Sequence, residues 1–385
     1  MLDRKQKFIL AVSFAAILFF VAGNFVATKM ASQSPFRPLA IFGEVVSHVS
    51  HDYVEEVDEK KVMNGAIAGF LEGLDPMCSY IEKSGVAQYE TVKKSAESSP
   101  ISITKRYGYG FILHIEPGSP AEEAGLKRGD FIRAINKHST RDMGLFQLQA
   151  ALSGPPPIEC TIVRDNARGD GPTTITLKKT VMPPRPPLIN TVKDGVTILT
   201  LNQMREGAAA GLRSALLADR RSGASESAPL RLALDLRGCT GNDYEEALRF
   251  LSVIISDGDI ATRHDRSDKP QVYRTDSAGY VATPHCAVLV DGYTCSAPEL
   301  IAASLKQRGI ARLFGSRSYG TVREQRLYLF PDGSGVLLSS YEWTAADGKI
   351  ITGKGVEPDV AEKETDETAP ADPMLAAALS YLLSA

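Results

Sequence analysis

The chain has 385 residues, 43% hydrophobic and 23% charged, with a net charge of −3. This is too long for a single domain of about 100–200 residues, and the composition is that of a folded globular protein. With near-neutral charge and no basic run interleaved with aromatics, nucleic-acid binding is excluded. The five cysteines (78, 160, 239, 286, 295) and six histidines (48, 51, 114, 138, 264, 285) are scattered, without metal-ligand spacing, so neither a metal nor a cofactor is expected.

In chain order, the first signal is the N-terminus. Arg4, Lys5 and Lys7 precede an apolar run at 8–27 broken only by Ser13, Gly23 and Asn24. Twenty apolar residues span about 30 Å of hydrocarbon. The positive flank stays on the cytoplasmic side. Residues 1–30 are therefore expected to be a single-pass anchor in the inner (cytoplasmic) membrane, with the bulk of the chain extracytoplasmic, or periplasmic. The alternative is a cleaved signal peptide, against which the length of the run and the poor cleavage site argue.

Residues 31–97 read as a helical segment, with Phe42, Val45, Val46 and Val49, then Val62, Ala66, Ile67 and Phe70, at helical spacing. Residues 98–181 change texture. Strands at 101–104 and 111–115 flank a turn at 107–110. A short helix ends at Gly125, a strand follows at 131–135, a helix at 145–152 and a strand at 159–163. The segment GSPAEEAGLKRGDFIRAIN (118–136) resembles a bacterial PDZ domain. That resemblance implies capture of an extended C-terminal peptide along a sheet edge, faced by Ile101 and Ile103 on the strand and Leu145 and Leu148 on the helix. Ser98-Ser99-Pro100 stands where a glycine-rich carboxylate-binding loop is usual, and proline removes an amide donor.

A proline-rich linker at 182–187 opens the last large region, 182–362. Strands at 196–201, 230–236 and 286–290 alternate with helices at about 207–219, 244–255 and 298–308, arguing for a sheet covered by helices. An acidic stretch and a terminal helix occupy 363–385; the helix is amphipathic enough to dock on the body or on a second chain.

In VLVDGYTCSAPELIAASL (288–305), Ser296 sits between a strand and a helix. A nucleophile there is exposed at a sheet edge, and the helix N-terminus favours developing negative charge. The same Ser-x-x-Glu is also a capping box. Wider context bears on this choice. LALDLRGCTGN (232–242), GSRSYGTVREQ (315–325) and the closing GKGVEPD (353–359) resemble segments of the C-terminal processing (tail-specific) serine proteases. So does the order of helical segment, PDZ unit and core. The resemblance implies an α+β fold: anchor, helical segment, PDZ domain and α/β peptidase core. It also implies polypeptide substrates or C-terminal tails as partners.

Carried over by position, the family's nucleophile is Ser296. Its general-base lysine, 25 positions later, falls on Thr321, and its assisting glutamine on Gln325. The oxyanion loop keeps Gly241, but Asn242 replaces the second glycine. A serine hydroxyl is a weak nucleophile without a neighbouring base, and a threonine cannot hold its proton. Without the base, only the residual catalysis of binding and the oxyanion hole remains, about 10³–10⁴ over water. Lys306 is out of reach along its helix, and Arg317 and Arg323 stay protonated. Glu324, His264 and His285 cannot be placed from sequence, and Cys295 lacks a base of its own. Two readings follow: a serine peptidase of impaired activity, or an inactive pseudoprotease serving as a membrane-tethered peptide-binding scaffold. Homodimerisation through the terminal helices is compatible with the second.

Overall fold

The computed structural model describes residues 37–94, 100–164, 171–178, 186–221, 230–267, 269–361 and 372–384. The expected anchor at 8–27, Ser98 and Ser99, most of the proline-rich linker and the acidic stretch lie outside them. Among the described residues no helix is long and apolar enough to cross a membrane. The chain divides into two compact units, 1–66 and 67–385.

In the first unit, helix Arg37–Asp52 leaves Leu39, Ile41, Phe42 and Val45 exposed. Helix Glu59–Glu72 follows.

The second unit holds three sheets, with strands β1 to β17 in chain order. After β1 (Ser79–Ile81) and helix Lys83–Lys94 comes the predicted PDZ region. Strands β2 (Ile101–Arg106), β3 (Tyr109–Ile115), β4 (Phe131–Ile135), β5 (His138–Ser139), β6 (Ile158–Val163) and β7 (Thr173–Leu177) form an antiparallel sheet. Its order is β2-β3-β4-β6-β7, with β5 paired to β4, so β2 lies at an edge. The turn before helix Pro120–Glu123 is set by Ser119, whose hydroxyl caps Glu122 N at 3.2 Å with Pro120 opening the helix.

The last region contains β8 (Leu188–Lys193), β9 (Val196–Leu201), β10 (Arg231–Asp235), β11 (Asp259–His264), β12 (Gln271–Arg274), β13 (His285–Val290), β14 (Ala311–Gly315), β15 (Arg323–Leu329), β16 (Gly335–Ala345) and β17 (Val360–Ala361). One sheet runs β17-β14-β13-β10-β9-β8. It is parallel except for β8. Its central strands β9, β10 and β13 are largely apolar because both faces are buried, while the edge strand β8 is mostly exposed. Leu232, Leu234, Cys286, Val288 and Val290 face helices Ala208–Arg221, Tyr244–Ile254 and Ala297–Gln307. Ala233, Ala287 and Leu289 face the terminal helix Pro373–Leu383, which buries Met374, Ala378 and Leu382 on them. Of the two docking places open to that helix in the sequence, it takes the body of its own chain.

The remaining sheet, β1-β16-β11-β12 with β15 on β16, is antiparallel. Periodicity did not foretell β1, β11 and β12, because β1 and β12 are short and β11 mixes polar with apolar residues without a clear alternation. The sequence reading also began the region as linker, yet its first strand, β8, starts at Leu188, directly after the prolines.

Candidate active site

The sheet order brings the site together. β10, β13 and β14 are neighbours and parallel, so the loops leaving their carboxyl ends (236–242, 291–296 and 316–322) converge at one edge. In such sheets that edge is where chemistry is placed.

Ser296 ends the middle loop at φ 68°, ψ −127°. A non-glycine residue in that region is strained and persists only where its surroundings hold it. A strand-to-helix turn of this kind presents a nucleophile. It also decides the capping question. Glu299 N bonds to the Ser296 carbonyl (3.0 Å) rather than the hydroxyl, and the hydroxyl instead lies 3.5 Å from Cys295 Sγ. Only the glutamate half of the capping box is made: Ser296 N donates to Glu299 Oε2 at 3.0 Å.

Glu299 is the organiser. It is completely buried and accepts from Ser296 N, Thr321 N (2.8 Å), Gly320 N (2.6 Å) and the Ser318 hydroxyl (2.5 Å). Burial pushes its pKa up from 4.5 to about 7, against the pull of those donors. Since Ser296 N and Thr321 N share one carboxylate oxygen, they lie within about 6 Å of each other. The structure thus brings together the two positions that the sequence related across 25 residues. The segment 318–321 is locked from behind as well: a Cβ at Gly320, where φ is +89°, would meet Gly355 N at 2.8 Å.

Gly241 belongs to the same cluster. At φ +133° a Cβ would stand 2.3 Å from the Met204 carbonyl, so only glycine fits. Its carbonyl accepts from Ala297 N at 3.0 Å. That amide follows the nucleophile and would be a natural oxyanion donor; here it is occupied, as is the Ser296 amide.

Gln325 is not brought to Ser296: its side-chain amide donates to the Met77 carbonyl. The bases left open by the sequence are committed elsewhere too. His264 Nε2 is 3.2 Å from Thr344 Oγ1, and His285 packs on Tyr381 at the opposite end of β13. Glu324 accepts from Trp343 Nε1 at 2.9 Å, and Lys306 pairs with Asp359 at 2.7 Å. The Cys295 thiol is buried and held far above its ordinary pKa. Around Ser296, burial keeps Cys295 and Tyr244 protonated at neutral pH, and both Glu299 oxygens are taken by the donors named above. All five cysteines are unpaired and buried.

The PDZ region packs directly on this site. Phe111 and Leu113 of β3 cluster with Cys295, Tyr293 and Tyr319, and the Phe111 and Tyr293 rings stack 6.1 Å apart. Thr240 of the oxyanion loop donates to Ser102 Oγ of β2 at 2.8 Å. Arg128 pairs with buried Asp291 at 2.7 Å. Asp291 in turn accepts from Gly238 N (2.9 Å) and Thr294 N (2.9 Å), tying the oxyanion and nucleophile loops to the PDZ region. Under this cover Ser296 is only 3% exposed.

The residues expected to face a peptide are corrected in one respect. Ile101, Ile103, Leu145 and Leu148 do come together, but all are buried in the PDZ core, Leu148 completely. They form the floor under the edge of β2 rather than an open groove. Sequence reasoning missed Tyr244, Asp291, Arg128 and Ser102, whose roles depend on contacts between distant segments. The organising role of Glu299 was within reach, since the Ser-x-x-Glu spacing had already placed it one turn from the serine.

Comparison with known proteins agrees with this architecture. Residues 195–362 match peptidase family S41, and residues 111–163 match the PDZ domain. The carboxy-terminal processing protease CtpA of Bacillus subtilis (strain 168) is 27% identical over 365 residues, 93% of this chain and 76% of that one. A probable CtpA-like serine protease of Staphylococcus aureus (strain N315) is 25% identical over 317 residues, 81% of this chain; the chain spans 62% of that relative's length. A solved photosystem II D1 C-terminal processing protease shares the fold, with a TM-score of 0.65 at 21% identity over 84% of this chain and 86% of that one.

Proposed function

We propose that this chain, which joins a PDZ domain to a peptidase family S41 domain and is homologous to the carboxy-terminal processing proteases, recognises the C-terminal tails of extracytoplasmic polypeptides with its serine-peptidase activity impaired. One observation carries the reading. Ser296 has the strained geometry of a nucleophile, but Thr321 stands where the lysine would be and the Glu299 carboxylate is taken up by four donors. The occupied Ala297 and Ser296 amides and the 3% exposure of Ser296 point the same way. The edge position of β2 supports docking of a tail as an added strand. In this reading Gln325 serves the fold, and Gly241 shapes the oxyanion loop.

The second reading is the pseudoprotease: no hydrolysis at all, and a scaffold that holds tails at the membrane. It is favoured by the Ala297 and Ser296 amides, on either side of the nucleophile's carbonyl, both being spent. The apolar run at 8–27 supports a single-pass anchor in the cytoplasmic membrane, and the exposed Leu39, Ile41 and Val45 support a homodimer through the N-terminal helix. Membrane fractionation with protease accessibility tests the first; cross-linking across concentration tests the second.

The deciding experiment incubates the full chain, purified in detergent, with an unfolded protein bearing an apolar C-terminal tail, alongside Ser296→Ala. Slow cleavage lost in Ser296→Ala supports the impaired peptidase. Tail binding without cleavage by either form supports the scaffold. Turnover at ordinary peptidase rates, about 1 per second or faster, would overturn both.

A further inference from the structure

The turn joining β2 to β3 is Tyr107-Gly108, with φ of 54° and 80°. A two-residue turn with both angles positive favours Asn or Gly, and a bulky residue in that conformation is a rare outlier. Here it is a tyrosine, 76% exposed. Three arginines surround this turn. The Arg133 and Arg141 guanidinium carbons lie 4.1 and 5.1 Å from the centre of the Tyr109 ring, and that of Arg106 lies 5.5 Å from the centre of Tyr107. Arg141 lies against the turn itself, since a Cβ at Gly108 would stand 3.3 Å from its Nε. All three arginines are exposed, and among the described residues none is paired with a carboxylate. The adjacent Lys105, by contrast, is buried and paired with Glu72 at 2.8 Å. Across 101–115 and 131–144, Asp142 is the sole acidic residue. Stacking on a ring orders a guanidinium and leaves its N–H donors for an anion.

We propose that this patch reads acidic residues upstream of a docked tail, so that the preferred substrates carry Asp or Glu before an apolar C-terminal end. The proposal rests on the docking of tails at β2. Its placement follows from the direction of the strand. β2 runs Ile101–Arg106 along a sheet edge, and the carboxylate-binding position in the sequence comes just before it. A tail added as an antiparallel strand sets its last residues beside Ile101 and Ile103, and reaches Arg106 about five residues further upstream. Pro100 supplies no amide donor to the terminal carboxylate, which leaves more of the affinity to upstream contacts. Cross-strand partners share a face. Arg106 pairs with Tyr109, Thr104 with Phe111 and Phe111 with Phe131. Arg106 therefore continues the face whose Phe111 stacks on Tyr293 of the nucleophile loop, and an acidic segment held there lies beside the peptidase loops. A peptide is favoured over a membrane surface because the patch begins where a docked tail leaves β2.

The test is fluorescence anisotropy on the full chain in detergent, carrying Ser296→Ala so that no cleavage intervenes. The probes are labelled peptides with one apolar tail, preceded by Glu in one and by Gln in the other. At physiological salt the Glu peptide should bind about tenfold tighter, an advantage that fades at high salt as the charges are screened. With Arg106→Gln, Arg133→Gln and Arg141→Gln combined, the two peptides should bind alike, and an unchanged Kd for the Gln peptide shows that the variant is folded. Arg141→Glu alone should weaken the Glu peptide more than the Gln peptide. Equal affinities in the parent, or a Glu preference that survives the triple substitution, overturn the proposal and leave tail docking intact. Binding of neither peptide refutes docking at β2, and the proposal with it. If the triple substitution changes only the binding of phosphatidylglycerol in mixed micelles, the patch is a lipid site and the proposal falls.

Discussion

Arg128→Ala should destabilise the folded chain by about 2–3 kcal/mol, although the residue lies in the PDZ region and the damage falls on the peptidase loops. Asp291 is 1% exposed and its Oδ2 meets Arg128 Nη1 at 2.7 Å. Breaking a buried pair by removing one partner costs about 3–5 kcal/mol. Here the arginine side chain is 29% exposed, and the carboxylate keeps donors at Gly238 N, Tyr293 N, Thr294 N and Thr294 Oγ1, so the loss falls just below that range. Loss of the guanidinium from the Tyr293 face, 4.4 Å away, is worth about 0.5–1 kcal/mol of it. The assay is urea unfolding of the full chain followed by Trp343 fluorescence, in a cycle with Asp291→Asn. Once the carboxylate charge is gone, removing Arg128 should cost about 1 kcal/mol or less. If the two single effects sum to the double effect within about 0.5 kcal/mol, the pair is not the latch described.

Glu299→Gln should flatten the pH profile of stability. Burial raises the Glu299 pKa from 4.5 to about 7, so the fold binds its proton more tightly than the unfolded chain does. That contribution is complete below about pH 4.5 and lost as pH rises through about 7, a swing of roughly 3 kcal/mol; parallel Tm profiles of the two proteins from pH 4 to 8 would refute it. Gly241→Ala should lower stability by about 2–3 kcal/mol, because its Cβ would meet the Met204 carbonyl at 2.3 Å; an unchanged Tm would mean that the loop has room to move. In the native chain the five thiols, all buried, and with Cys160 and Cys286 pushed up to about 12, should resist iodoacetamide at pH 8 and react only on unfolding. Stoichiometric modification of the folded protein would contradict their burial. Thr240→Val, which removes the hydroxyl bonded to Ser102, should cost about 1 kcal/mol and loosen the oxyanion loop, read as faster amide exchange at 239–242.

The order of elements was legible from local chemistry. The helix Leu145–Leu152 and the strands Phe131–Ile135 and Val196–Leu201 fall where apolar spacing and Gly/Pro punctuation put them. Ser296 and Thr321 were related by sequence register alone, and one Glu299 oxygen, bonded to both amides, bears out their closeness in space. Spacing could not reveal the antiparallel sheet, since a pairing such as Ser79 with Leu337 joins segments far apart in sequence and no local pattern encodes a partner. For the same reason the sequence left Ser296 between cap and nucleophile: the residue types permit both, and only the backbone angle at 296 separates them. Whether a base stands beside the serine is likewise a property of converging loops. Tyr244, Arg128 and Asp291 are ordinary residues in their own segments, and it is the parallel alignment of β10, β13 and β14 under the PDZ sheet that carries Tyr244 to the Arg323 carbonyl and Arg128 to the buried Asp291 carboxylate.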